Sequence, residues 1–116
     1  MIRVLLNFFP SILYFSLLAI VRGWTYILEC GDGSFYTGST NNLKRRIRQH
    51  KKGNGSNHTR NNLPVHLVYY EEFDRIDKAC EREKQIQGWS RKKKEALIKG
   101  RLDTLKEISE CKNNSH

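Results

Sequence analysis

The apolar positions of this chain fall into one unbroken run followed by short, spaced sets. Val4 to Val21 is almost wholly apolar and is flanked by Arg3 and Arg22. Beyond it, Tyr26-Ile27-Leu28 and Phe35-Tyr36-Thr37 are rich in aromatic and β-branched residues, as strands tend to be. Gly31-Asp32-Gly33-Ser34 between them carries the Asp-Gly pair that suits a tight type I′ hairpin turn. The period then changes. Thr40-Asn41-Asn42 offers helix N-caps, Leu43, Ile47 and His50 recur at helical spacing, and Gly53 marks a stop.

Pro64 opens a third strand, Val65 to Tyr70, with His66 as an outward position. Asp74 to Gln87 reads as a second helix, capped by Asp74 or Asp77 and closed by Gly88. Its inward stripe is Ile76, Ala79, Cys80, Glu83 and Ile86. Ser90 caps a third helix, Arg91 to Lys99, and Leu102, Leu105 and Ile108 continue a weaker one before a disordered tail at 113–116. These elements predict an α/β fold, a small three-stranded antiparallel sheet flanked by helices in the order β-β-α-β-α-α. The expected divisions are 1–21 as an apolar segment, 22–100 as the domain, and 101–116 as terminal helix and tail.

Composition adds a direction. The net charge of +9 over 116 residues points to a polyanionic partner, nucleic acid or an acidic membrane surface. Residues 44–60 hold seven Lys or Arg and no acid, ending in a flexible basic loop. Lys44, Arg45, Lys51, Lys52 and Arg60 there, with Arg91, Lys92, Lys93 and Lys94, are the candidate phosphate contacts. Cys30, Cys80 and Cys111 are odd in number and widely spaced, so they suggest reduced thiols in a cytoplasmic protein.

Tyr26 and Tyr36 lie on paired strands, and Arg46 and His50 share a helix face at i and i+4. A phenol, a permanent charged fork and an imidazole are residue types that can cut a phosphodiester. Spacing alone favours a sheet aromatic pair and a solvated helix face. Glu83 raises a separate question, because a carboxylate aimed at the sheet must be paired, hydrogen-bonded or bound to metal. A salt bridge to Arg46 is one answer.

The stretch from Trp24 to about Ile98 resembles the GIY-YIG nuclease domain family, in particular its small stand-alone members. Trp24-Thr25-Tyr26 stands at the first motif and Tyr36-Thr37-Gly38 at the second, with Arg46 ten residues further on. The resemblance implies a metal-dependent DNA endonuclease. It assigns Tyr26, Tyr36, Arg46, His50 and Glu83 to catalysis, with Glu83 as the ligand of Mg²⁺ or Mn²⁺. Departures are also present. Ser39 replaces the lysine found after the second motif in excision-repair members, Gln87 stands where small relatives often have lysine, and no asparagine lies between Glu83 and Asn113.

Branched, flapped and single-stranded DNA stay open as substrates, as does RNA, and a monomer is expected. The alternative function is a catalytically idle nucleic-acid-binding module. Residues 4–21 have three readings: a mis-assigned start, because the resemblance begins only at Trp24; a membrane anchor near the usual ~20-residue span; and a secretory leader.

Overall fold

The computed structural model describes residues 21–100. Strands β1 (Gly23–Glu29), β2 (Phe35–Thr40) and β3 (His66–Phe73) form one antiparallel sheet in the order β2-β1-β3. Helices α1 (Leu43–Lys51) and α2 (Asn57–Arg60) separate β2 from β3, and α3 (Ile76–Gln87) and α4 (Arg91–Ile98) follow β3. The expected three-stranded α/β architecture is the one observed. One turn of helix, α2, replaces part of the expected basic loop. Ser56 and Thr59 close it with reciprocal side-chain-to-backbone bonds, which satisfy donors a loop would leave to water.

The sheet divides the core into two. Tyr26, Leu28, Cys30 and Val65 pack on one face with Leu43 and Ile47 of α1. Ile27, Ile86 and Leu97 pack on the other, with Val68, Tyr69 and Trp89. The period-2 alternation of β1 therefore sends Tyr26 to the α1 face and Ile27 to the α3/α4 face. A β-bulge opposite Ile27/Leu28 leaves Val68 without a partner on β1, so Val68 and Tyr69 both turn to the second core.

Two local expectations change. The hairpin is not type I′, because that turn needs positive φ at both central residues and Gly33 alone has it, at 85°. The Gly33 N–H instead donates to the Cys30 carbonyl at 2.9 Å, and Cys30 N–H donates to Ser34 O at 2.8 Å. That is a longer loop ending on a left-handed glycine. Neither Asp74 nor Asp77 caps α3. Its N-cap is Arg75, without a side-chain bond, and the Ile76 N–H donates to the Val21 carbonyl at 2.8 Å. Asp74 pairs with Lys78 and Asp77 with Arg75 instead. By contrast, Asn42 and Ser90 cap α1 and α4 as their sequence suggests.

The readings of residues 1–20, the terminal helix and the tail lie outside the described residues. Among those described, no helix is long and apolar enough to cross a membrane. Ile86 is fully buried at the centre of the second core. Ile86→Ala is expected to lower unfolding free energy by about 2–5 kcal/mol in urea titrations, the usual range for truncating a buried isoleucine.

Candidate active site

The site is built around the phenol of Tyr26, on the central strand and 1% exposed. Its register partner on edge strand β2 is Gly38. A Cβ there would meet the Tyr26 hydroxyl at 2.5 Å and Tyr36 Cε1 at 3.1 Å, so only glycine lets the phenol lie across β2. Tyr36, two residues earlier on β2, stands on the same face, with ring centroids 6.4 Å apart.

Helix α1 lowers His50 onto this pair. The Tyr26 hydroxyl and His50 Nε2 are 2.7 Å apart, and His50 Nδ1 lies 2.9 Å from Thr59 Oγ1 of α2. Thr59 can donate its proton to the Ser56 carbonyl at 3.2 Å. His50 Nδ1–H then donates to Thr59, and Nε2 accepts from the phenol, which satisfies every group in the chain. The His50 ring has no exposed surface, and a Cβ on Gly55 would collide with it.

Burial decides the charge of this pair. Desolvation, helped by nearby Arg46, lowers the His50 pKa to about 4. Desolvation also raises the Tyr26 phenol to about 12, with Arg46 opposing and Tyr36 and Glu83 adding to the rise. At neutral pH both are uncharged. Arg46 is half-buried, donates to Gln49 Oε1 at 3.1 Å, and has no carboxylate ion pair among the described residues.

Glu83 reaches edge strand β2 from the other side of the sheet. Ser39 Oγ donates to its Oε1 at 2.5 Å, and Gln87 Nε2 donates to its Oε2 at 2.8 Å. Gln87 also reaches the Thr37 carbonyl at 3.3 Å. The salt bridge to Arg46 is not formed. Glu83 is half-buried on two neutral donors, with no ion pair among the described residues, and the buried Thr37 Oγ1 nearby on β2 lacks a partner. One carboxylate with hydroxyl neighbours suits Mg²⁺, which takes few protein ligands and keeps several waters. The residues present fit such an ion.

Tyr26, Tyr36 and His50 thus form one cluster, Arg46 borders it, and Glu83 faces it across β2. The candidate phosphate contacts do not form one surface. Lys44, Arg45, Lys51, Lys52 and Arg60 are exposed on α1, its C-terminal end and α2. Helix α4 lies against the opposite face of the sheet. There Arg91 donates to Gly33 O at 2.8 Å and covers the Phe35 ring, and Lys93 sits 4.4 Å from the Trp89 ring centroid. Lys92 is exposed and Lys94 half-buried.

Sequence reasoning missed Thr59, Gly55, Ser39 and Gln87 as supports. Ser56-x-x-Thr59 carried a capping signal that would have placed Thr59 on a helix. Gln87, at i+4 from Glu83, carried a pairing signal.

Edge strand β2 is thus flanked by a buried tyrosine–histidine pair with Arg46 beside it on one side and by a tethered glutamate on the other. Residues 22–96 match the family model described as the GIY-YIG catalytic domain. The chain belongs to that family. It is 42% identical over 80 residues to a UPF0213 protein of Haloquadratum walsbyi, covering 69% of this chain and 90% of that one. A UPF0213 protein of Staphylococcus aureus is 41% identical over 78 residues, covering 67% and 95%. The solution NMR structure of a UPF0213 protein from Bacillus halodurans is 40% identical, with a TM-score of 0.47 and coverage of 69% and 85%.

The folded-state pKa of His50, about 4, lies below its ordinary 6.5. Between those values the unfolded chain binds the extra proton, so the stability due to neutral His50 is complete above about 6.5 and is lost as pH falls through 4. Melting temperatures measured from about pH 7 to 4 should therefore fall more steeply for the wild type than for His50→Gln.

Proposed function

We propose that the chain is an endonuclease that hydrolyses phosphodiester bonds in DNA with a divalent cation, Mg²⁺ or Mn²⁺, held at Glu83. The observation that carries this reading is the buried, neutral contact between the Tyr26 hydroxyl and His50 Nε2, bordered by Arg46 and packed against the edge strand β2, whose Ser39 anchors Glu83. A structural tyrosine–histidine pair would not require beside it a guanidinium that has no carboxylate ion pair among the described residues.

Tyr26 orients the attacking water. With a phenol near 12 it is no phenolate at neutral pH, so it takes a proton from water as it passes its own to His50 Nε2. Thr59 holds the His50 tautomer that leaves Nε2 free to accept. Arg46 stabilises the scissile phosphate as negative charge grows in the transition state. Tyr36 orients water or phosphate at the open side of the pair. Glu83, fixed by Ser39 and Gln87, holds the cation, which when bound supplies charge stabilisation for the phosphate and leaving oxygen. Lys44, Arg45, Lys51, Lys52 and Arg60 bring the DNA backbone to the Tyr26 face, and Lys92 and Lys94 extend contact from α4. Cys30 and Cys80 are free, in keeping with a cytoplasmic setting.

Labelled flapped, branched and single-stranded DNA should be cut with Mg²⁺ and spared with EDTA. Glu83→Gln should slow cutting by about a hundredfold or more while leaving DNA affinity similar or higher, because a negative charge is removed. Binding without any cutting would instead identify an idle nucleic-acid-binding module. Since His50 stays neutral down to about 4, the rate should show no inflection near 6.5. Replacing Lys92, Lys93 and Lys94 together should weaken binding to all sequences and flatten its salt dependence. An unchanged salt slope would remove α4 from the DNA-binding surface.

A further inference from the structure

The hairpin loop and α2 bring a second set of ligating groups together, away from Glu83. The Cys30 thiol, the Asp32 carboxylate and the His58 imidazole have ligand atoms within 4.8 Å of one another. Cys30 is buried at the end of the first core, whereas Asp32 and His58 are exposed. We propose that these three residues form a binding site for a thiophilic divalent cation, Zn²⁺ foremost, with a fourth position open to water.

The donor set selects the ion. Thiolate, imidazole and carboxylate together suit Zn²⁺ or Co²⁺, whereas Mg²⁺ and Ca²⁺ favour oxygen donors alone. Three protein ligands plus an open position is a common zinc arrangement. Zn–S and Zn–N lengths of about 2.3 and 2.0 Å place tetrahedral ligand atoms roughly 3.3–3.6 Å apart. With every pair within 4.8 Å, no pair need contract by more than about 1.5 Å. Side-chain rotation of the two exposed residues can supply this, since Cys30 alone is fixed in the core.

Their backbones are held. The Gly31 N–H donates to Asn62 O at 2.6 Å, tying the hairpin loop to the end of α2, and Ser34 N–H donates to Asp32 Oδ1 at 3.0 Å. Asn62 Nδ2 donates to the His58 carbonyl at 2.7 Å, and the His58 ring stacks on Tyr36 at 16° between planes. Ser34 Oγ donates to Asp32 Oδ1 at 2.6 Å and lies 2.8 Å from His58 Nε2. That hydroxyl aligns the two exposed ligands without metal and rotates aside when a cation takes its place. On binding, Cys30–SH releases its proton to solvent and the sulfur bonds the metal; no electron is transferred. A cation here would fasten the hairpin to α2, next to Thr59 and against Tyr36, both of which contact His50.

The proposal is independent of nuclease activity and is tested by binding alone. The full chain, stripped with chelator, is titrated calorimetrically with Zn²⁺, and with Co²⁺ while absorption is recorded. One tight site per chain is expected, with a thiolate-to-Co²⁺ charge-transfer band, undisplaced by excess Mg²⁺ and retained in Glu83→Gln. Cys30→Ser should abolish the band, and His58→Ala and Asp32→Asn should each weaken Zn²⁺ at least about tenfold. His58→Ala and Asp32→Asn change exposed side chains and keep the test decisive if Cys30→Ser fails to fold. No saturable binding, undiminished binding in His58→Ala, or binding lost only when Cys80 or Cys111 is replaced would each overturn the proposal.

Discussion

A phenol hydroxyl and an imidazole buried this deeply are tolerable only if each finds a partner, and in this domain they find each other. The cost of an unpaired buried polar group, about 1–3 kcal/mol, explains much of what surrounds them. Thr59 occupies the second imidazole nitrogen, and a capped single turn of helix exists to hold Thr59. Gly38 and Gly55 leave the two rings room. Remove the contact and α2 loses its purpose, as does the close approach of β2 to the phenol.

The second constraint is the edge position of β2. A group on α1 and a group on α3 are separated by the full thickness of a sheet, except where the sheet ends. Ser39 points one way from β2 and Gly38 the other, so successive residues of one strand serve Glu83 and Tyr26. Burial makes the tyrosine–histidine half neutral, and hydrogen bonds from Ser39 and Gln87 fix the position of the glutamate half. The proposed chemistry needs this division, with proton transfer on one side and cation attraction on the other.

Much of the fold was legible because it rests on local rules. Aromatic and β-branched runs marked the strands, Asn42 and Ser90 marked helix starts, and Gly53 and Gly88 marked ends. What escaped depended on tertiary partners. The α3 N-terminus is satisfied by Val21, fifty-five positions away by subtraction from Ile76, so no nearby acid was needed as a cap. Asp32-Gly33 suggested the commonest two-residue turn, but only Gly33 takes the left-handed conformation. In the candidate site, residue types and spacing were visible for Tyr26, Tyr36, Arg46, His50 and Glu83. Ser39 and Gln87 read as departures from a family pattern until Glu83 was seen lying between them.

The glycines packed on the reactive rings have a genetic consequence. Gly55 belongs to no recognisable motif and touches no proposed substrate, yet an added methyl there would displace the His50 ring. Gly38 bears the same relation to the Tyr26 hydroxyl. A screen for inactive alleles would collect alanine at these two positions alongside changes at the tyrosines themselves. Ranking sites by chemical type would then overlook half of the lesions. Intolerance to substitution would trace the volume of the buried pair, not the list of groups able to move a proton.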